Sequence, residues 1–139
     1  MIVGVGTDVV AVGRLLRWTT FTDQRLRHVF TSAELDDSRL AGQLAPQKLA
    51  VRFAAKEAFY KALSVALVHF GATARTGTFM AVCKGLEVRY GVWQVPVLSV
   101  DWDYLQELFN CTLPPMQVHL SVAHEKEMAV AFVTLSEVS

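Results

Sequence analysis

A glutamate and a lysine stand four residues apart in an alanine-rich segment, at Glu57 and Lys61. The segment, residues 49 to 64 (LAVRFAAKEAFYKALS), has the composition of a helix, on which positions i and i+4 meet. A carboxylate can ligate a metal ion and an ammonium can neutralise a phosphate, so this pair is a candidate metal and phosphate site. The alternative is an ordinary surface ion pair that contributes roughly 0.2 to 0.5 kcal/mol.

The predicted helix has two unlike sides. Small residues share one side of a 3.6-residue wheel, namely Val51, Ala54, Ala55, Ala58, Ala62 and Ala66. The opposite arc holds larger and polar residues, namely Arg52, Phe53, Lys56, Glu57, Tyr60, Lys61 and Ser64. The alanine side can pack closely on a sheet, and we expect the charged side chains of the opposite arc to face a ligand or water.

Asp8 interrupts an apolar run at the start of the chain. Residues 1 to 12 (MIVGVGTDVVAV) are rich in β-branched side chains and predict a buried strand. A carboxylate there needs a partner because an unpaired buried charge is costly; the alternative is that Asp8 ends the strand and caps a turn. Gly4 and Gly6 indicate a bulge or a close approach of another backbone or a ligand. If a metal site exists, Asp8 must lie near Glu57.

Further elements follow from periodicity and capping signals. Thr31 or Ser32 is predicted to cap a short helix, and Pro46 to lie in the first turn of the long central helix. Strands are predicted within residues 78–88 and 92–102 and at residues 117–123 and 128–135, with a helical turn or two at 103–109. We therefore predict an α+β domain in which a mostly antiparallel sheet packs on a long central helix.

Four motifs occur in the order seen in holo-acyl carrier protein synthases. They are GVGTD at residues 4–8, FTSAEL at 30–35, RFAAKEAFYKA at 52–62 and HLSVAH at 119–124. The chain resembles this branch of the 4′-phosphopantetheinyl transferase superfamily, and the resemblance implies one such domain over residues 1–139. It implies transfer of the 4′-phosphopantetheine arm of coenzyme A to a serine of apo acyl carrier protein, leaving 3′,5′-ADP, with Mg²⁺, in fatty acid biosynthesis.

The resemblance also assigns roles to the charged residues. Asp8 and Glu57 match the family's two metal-binding carboxylates, and Mg²⁺ prefers such hard oxygen ligands. Lys61 and Glu57 are the predicted catalytic residues: Lys61 would neutralise charge on the phosphates, and Glu57 would keep it protonated and aimed. The resemblance leaves open which group deprotonates the serine. The hypothesis is a metal-bound water assisted by Glu57 or another carboxylate.

The same resemblance predicts a coenzyme A site formed by Arg52, Lys61, Ser64 and His124. Arg52 matches a residue at the nucleotide end, where an arginine fork suits a phosphate. His124 ends an alternating strand and matches a histidine beside the nucleotide phosphates; the alternative is a turn histidine without a ligand. Phe53 either flanks the adenine or packs inward, and its type favours packing.

Three sites depart from the family pattern. Ser64 stands where relatives often have glycine, residues 94 and 95 (QV) replace Gly-Lys, and Glu125 replaces threonine. The negative charge of Glu125 would weaken nucleotide affinity, or the Glu125 side chain would point towards metal-bound water. These changes motivate a second hypothesis, a non-catalytic relative that binds coenzyme A or carrier protein, and a third is an unrelated Mg²⁺-dependent nucleotide hydrolase. The joint presence of both carboxylates and the lysine favours the active transferase.

A basic segment at residues 14–28 is the candidate docking site for the acidic carrier protein. Arg14 and Arg17, at i and i+3, are predicted to share one face of a short first helix, the helix on which the family docks its carrier protein. The alternative is a solvated, weakly basic surface helix.

Composition sets the remaining expectations. The 139 residues, of 15.4 kDa, have a formal net charge of zero, so we expect no nucleic-acid or membrane partner. The uncharged stretches are too short to span a bilayer and no basic leader is present, which predicts a cytoplasmic protein. Cys83 and Cys111 are predicted to be reduced thiols. The 53% hydrophobic fraction is high, and the family resemblance implies a homotrimer that would cover apolar surface.

Overall fold

The computed structural model of the protein describes residues 1–73 and 77–139. The strands are β1 (Ile2–Ala11), β2 (Arg39–Leu40), β3 (Gln43–Leu44), β4 (Leu86–Tyr90), β5 (Pro96–Val100), β6 (Met116–His124) and β7 (Met128–Glu137). The α-helices are α1 (Val12–Leu16), α2 (Asp23–Leu26), α3 (Ser32–Asp37), α4 (Pro46–His69), α5 (Phe79–Cys83) and α6 (Trp102–Phe109). Short 3-10 turns lie at Arg17–Thr20 and Val92–Gln94.

The main sheet has the strand order β1-β7-β6, and both of its pairings are antiparallel. Helix α4 lies across one face of this sheet, against β1 and β7. The pairs β2-β3 and β4-β5 form two small antiparallel sheets. The architecture confirms the predicted α+β class, with a mostly antiparallel sheet on a long central helix that begins at Pro46.

Asp8 lies inside β1, opposite Ala131 of β7, and the strand continues to Ala11. The alternative that Asp8 ends the strand is therefore wrong. Because side chains alternate along a strand, Asp8 and Gly6 share the face of β1 that packs on α4. This alternation turns the carboxylate towards the central helix.

The two glycines of β1 mark the places where α4 crosses the strand most closely. A Cβ built on Gly4 would lie 2.3 Å from the Ala62 carbonyl oxygen, and one built on Gly6 would lie 1.9 Å from that of Ala58. The partner residues on α4 are fully buried alanines. The close approach predicted from the glycines and from the alanine side of the helix is confirmed, and it brings the backbones of β1 and α4 together beside Asp8.

Replacing Gly6 by alanine should destabilise the fold by about 3 kcal/mol, because overpacking at this site meets backbone atoms rather than a movable side chain. The new Cβ would also lie 2.7 Å from the Ala62 nitrogen. Urea unfolding measures the loss. Gly13→Ala is the matched control, since a Cβ there meets nothing within 4 Å; equal stability of the two variants would contradict the close crossing.

The first half of the second side of α4 is buried, contrary to the expectation that its charged side chains would face a ligand or water. Arg52 is 3% exposed, Phe53 is 4% exposed and Lys56 is fully buried. The Lys56 ammonium donates to the Glu34 carboxylate (2.5 Å) and to the Val29 carbonyl oxygen (2.6 Å). These residues are covered by α3, α5, β4 and the chain before α3, which periodicity along α4 does not reveal. Glu57, Tyr60, Lys61 and Ser64 remain partly or fully exposed.

Three smaller expectations are resolved by the observed elements. Thr31, rather than Ser32, caps α3, and Glu34 completes the capping box. Residues 79–83 form α5, a helix capped by the Thr78 side chain, instead of continuing a strand. Helix α1 ends at Leu16, so Arg17 begins a 3-10 turn and does not share α1 with Arg14. Among the residues described, no helix combines the length and apolar character needed to cross a bilayer.

Candidate functional site

The crossing of β1 and α4 brings an aspartate and a lysine into contact. The Lys61 ammonium donates to Asp8 Oδ1 at 3.0 Å and to the Thr7 carbonyl oxygen at 2.9 Å. The Asp8 side chain is 15% exposed, whereas that of Lys61 is 51% exposed. The carboxylate is therefore held in place by the strand and the helix, and the ammonium reaches it from the solvent side.

Glu57 lies one helical turn before Lys61 and is half-buried. Burial raises the pKa of Glu57 above its ordinary value, and the charge of Asp8 raises it further, while Lys61 and Arg14 lower it. The charge of the Asp8 carboxylate therefore acts on Glu57 across the crossing of β1 and α4. Within residues 1–73 and 77–139, the ion pair of Lys61 is with Asp8 and not with Glu57, because the strand crossing presents two oxygens of β1 to the ammonium.

Two carboxylates suit magnesium better than metals that need several nitrogen or sulfur ligands. No cluster of three or more histidine, cysteine or acidic side chains able to hold a metal occurs among the described residues. Mg²⁺ is commonly held by one or two carboxylates together with substrate phosphates and water. The donor set of Asp8 and Glu57 therefore fits Mg²⁺ in the presence of a phosphate ligand.

A cleft of about 550 Å³ opens beside the first half of α4. Its lining residues are Asp37, Leu40, Ala45, Gln47, Lys48, Val51, Arg52, Tyr90, Gln94 and His124. Arg52 and His124, which we predicted in one nucleotide site, come together here from α4 and from the end of β6. His124 is exposed, so its ring is available to a ligand in the cleft.

Arg52 carries unused hydrogen-bonding capacity at the wall of this cleft. Its Nη1 donates to the Lys48 carbonyl oxygen at 3.1 Å, and its guanidinium lies 5.2 Å from the centre of the Tyr90 ring. Its buried Nε has no hydrogen-bond partner in the part of the chain that the structure describes. Buried donors are normally satisfied, and a guanidinium is well suited to phosphate. The orphaned donor therefore fits an anionic ligand.

Ser64 lies at a different cavity from Arg52 and His124. The Ser64 hydroxyl donates to the Tyr60 carbonyl oxygen at 2.8 Å. This second cavity, of about 330 Å³, is lined by Tyr60, Ser64, Leu67, Val68, Ala72, Thr73 and Phe109. Twelve residues of helix separate Arg52 from Ser64, which corresponds to about 18 Å at a rise of 1.5 Å per residue. The predicted coenzyme A residues of α4 are therefore spread along the helix, and Lys61 follows Tyr60, the first residue of α4 that lines the second cavity.

Phe53 packs inward, as its residue type indicated. Its ring centre lies 5.3 Å from that of Trp18 and 5.6 Å from that of Phe79. The exposed Arg14 covers this aromatic cluster, with its guanidinium carbon 5.1 Å from the Phe53 ring centre. Arg17 is also exposed. Both arginines therefore lie at the surface, and Arg14 lies next to α4, near enough to Glu57 to lower its pKa.

Lys48 and Tyr90 are among the residues of the cleft that sequence reasoning missed. Lys48 lies one turn before Arg52 on α4, a spacing that alone would have placed both on one face. Tyr90 ends β4, just before the loop in which Trp93 and Gln94 adopt positive φ angles of 61° and 55°. No pattern in the sequence connects this loop with α4, since only the tertiary fold brings them together.

Comparison with known proteins agrees with the fold and the motifs. Residues 4–131 match the family described as the 4'-phosphopantetheinyl transferase superfamily. A holo-[acyl-carrier-protein] synthase of Dechloromonas aromatica is 37% identical over 136 residues, covering 97% of this chain and 98% of that protein. The chain is also similar to a holo-(acyl-carrier-protein) synthase of Bacillus anthracis, solved in complex with CoA (3',5'-ADP), with 29% identity, a TM-score of 0.66 and 99% of each chain covered.

A second solved structure extends this likeness. The acyl carrier protein synthase of Mycobacterium tuberculosis is 26% identical, with a TM-score of 0.68 and 99% of each chain covered. The matches run through the strand that carries Asp8, the helix that carries Glu57 and Lys61, and the strand that ends at His124. The chain belongs to the 4′-phosphopantetheinyl transferase superfamily and is an enzyme of its holo-[acyl-carrier-protein] synthase group.

Proposed function

We propose that this enzyme transfers the 4′-phosphopantetheine arm of coenzyme A to a serine of apo acyl carrier protein, with Mg²⁺ held by Asp8 and Glu57. The released product is 3′,5′-ADP, and the setting is fatty acid biosynthesis in the cytoplasm. The observation that carries the proposal is the meeting of Asp8 and Lys61 beside Glu57 at the crossing of β1 and α4. Membership of the family supplies the reaction class.

The chemistry is a displacement at phosphorus, for which a protein contributes mainly positioning and charge neutralisation. Arg52, with its unpaired Nε, binds a phosphate at the nucleotide end, and His124 binds beside it in the same cleft. Lys61 neutralises charge on the leaving phosphate as a compact ammonium on a flexible stem. Bound Mg²⁺ would supply charge neutralisation at the pyrophosphate. Glu57, a carboxylate beside the reacting phosphate in this proposal, assists removal of the serine proton.

Ser64 lines the path of the pantetheine arm in this proposal. The second cavity, which Ser64 shares with Tyr60 and with apolar residues of α4 and α6, extends along α4 from Tyr60, the residue before Lys61. An arm that leaves the pyrophosphate at Lys61 would run along α4 into this cavity. Ser64 replaces a glycine of relatives without blocking the arm, since its hydroxyl turns back to the Tyr60 carbonyl oxygen.

Mass spectrometry of an apo acyl carrier protein tests the proposal. Incubation with this enzyme, coenzyme A and Mg²⁺ should add about 340 Da, the mass of one phosphopantetheine arm moved by phosphoryl displacement. A sample with EDTA in place of Mg²⁺ is the control and should show no gain. Absence of the gain with several carrier proteins, despite coenzyme A binding, would contradict the transferase and favour the non-catalytic binding protein.

Removing the charge of Arg17 should raise the KM for carrier protein about tenfold and flatten the salt dependence of this KM. The reason is that basic side chains that dock an acidic partner act mainly on the rate of association. Arg14→Ala should act in the same direction, but Arg14 also influences Glu57, so Arg17→Ala is the cleaner variant. Steady-state kinetics at several salt concentrations measure the effect. Lys126→Ala removes an exposed charge elsewhere and is the control; an unchanged KM for Arg17→Ala would refute docking at this residue.

We further propose a homotrimer in which the open face of the main sheet is covered by other copies of the chain. Val5, Val9, Val130 and Phe132 expose 37–57% of their surface on the face of β1 and β7 that α4 does not cover. A continuous apolar patch of this kind usually marks an interface. Sedimentation equilibrium should give three times the chain mass of 15.4 kDa; a monomer at micromolar concentration would contradict the proposal.

A further inference from the structure

The contact between Lys61 and Asp8 has a consequence for metal binding. The Lys61 ammonium donates both to Asp8 Oδ1 and to the Thr7 carbonyl oxygen. Asp8 is only 15% exposed, so few positions around its carboxylate are open to solvent. The ammonium therefore engages one of the two carboxylate oxygens with which Asp8 would bind another cation.

A lysine and a divalent cation compete for such a carboxylate. Mg²⁺ requires its oxygen ligands at about 2.1 Å, which would bring it close to an ammonium that itself lies 3.0 Å from Asp8 Oδ1. Like charges at this separation repel strongly, and partial burial of the site reduces screening by water. Simultaneous binding of both cations at Asp8 is therefore unfavourable unless Lys61 moves away.

The Lys61 side chain is able to make this movement. It is 51% exposed, and its ammonium is carried on a flexible four-carbon stem, whereas Asp8 is fixed within β1. Glu57, one turn earlier on α4, makes no ion pair with Lys61 among the residues described. Glu57 therefore does not fix the position of the ammonium. An anionic phosphate near the crossing would offer Lys61 a new partner.

We propose that Lys61 is a displaceable occupant of the metal site: its ammonium neutralises Asp8 in the free enzyme and moves to a phosphate of the substrate when a divalent cation binds. The inference rests on the proposed metal site at Asp8 and Glu57. It makes metal binding and nucleotide binding mutually dependent, since each is easier once the other has drawn Lys61 from Asp8. By thermodynamic linkage, coenzyme A must tighten metal binding by the same factor as the metal tightens coenzyme A binding.

Mn²⁺ binding to the purified enzyme, followed by the loss of the free-ion signal in electron paramagnetic resonance, tests the exchange without turnover. In the absence of coenzyme A, Lys61→Met should bind Mn²⁺ about tenfold more tightly than the natural enzyme, within the usual range of such couplings. Coenzyme A should then tighten Mn²⁺ binding less in the variant than in the natural enzyme. Lys61→Gln provides a second substitution at this exposed position, with the same expectation.

Arg14→Met is the matched control, because it removes a nearby positive charge that acts on Glu57 but has no ion pair with Asp8 among the described residues. Its Mn²⁺ affinity should change far less than that of Lys61→Met. Equal gains in the two variants, or no gain for Lys61→Met and Lys61→Gln, would overturn the exchange while leaving the metal site intact. Mn²⁺ binding that is indifferent to Asp8→Asn would instead overturn the metal site, and the exchange with it.

Discussion

Replacing Glu57 by glutamine should lower kcat for phosphopantetheine transfer by about 10³-fold, a loss comparable to removal of one charge-stabilising group from an active site. Glutamine keeps the size of the side chain but removes the negative charge that the proposed Mg²⁺ site needs. The transfer rate at saturating coenzyme A and apo carrier protein, followed by mass spectrometry, measures the effect.

The same substitution should leave the stability of the fold unchanged or slightly increased. The pKa of Glu57 is raised in the folded protein, first by burial and then by Asp8. A folded state that binds this proton more tightly than the unfolded chain is penalised, above the ordinary glutamate pKa, for keeping the carboxylate ionised. Glutamine removes that penalty at neutral pH, so thermal unfolding should show no loss.

Glu107→Gln makes the same chemical change at an exposed position on α6 and should retain full activity. A Glu57→Gln enzyme that keeps more than a tenth of the natural rate would remove Glu57 from the metal site. A large drop in its melting temperature would show instead that Glu57 has mainly a structural role.

Replacing Lys56 by methionine should cost about 3–5 kcal/mol of stability, the usual effect of breaking a buried ion pair by removing one partner. Lys56 and Glu34 are both fully buried. The Glu34 carboxylate would keep its hydrogen bonds from the Thr31 and Val88 amides but would lose its compensating charge. Since α4 carries Glu57 immediately after Lys56, loosening this contact should also lower activity at elevated temperature.

Urea unfolding of the single and double variants separates the charge effect from the packing effect. Adding Glu34→Gln to Lys56→Met removes the stranded charge and keeps an oxygen for one of the two amides, so it should recover part of the loss. Lys84→Met, at an exposed position, should change stability by no more than about 0.5 kcal/mol. A Lys56→Met protein as stable as the Lys84→Met protein would contradict a stabilising role for the buried pair.

Several parts of the site follow from local rules that the sequence contains in full. Asp8 among β-branched residues had to lie within a strand, because the apolar run continues on both sides of it. Gly4 and Gly6 on β1 and the alanine side of α4 together allow the two backbones to cross closely. Thr31 and Glu34, three residues apart, specify the start of α3 through a capping box. Each pattern depends on neighbours within one element or on sterics that residue size alone dictates.

Other parts were decided only by the tertiary structure. The spacing of Glu57 and Lys61 allowed them to pair, but the lysine contacts Asp8 because the chain crossing offers it two oxygens of β1. The helical wheel could not show that Lys56 is buried, since burial depends on which elements cover a face.

The shared cleft of Arg52 and His124 has the same origin. The two residues are 72 positions apart (124 − 52), and periodicity carries no information over that separation. Local sequence determined which side chains each strand and helix presents, whereas long-range packing decided which of those side chains meet, which are buried and which remain free to bind a ligand.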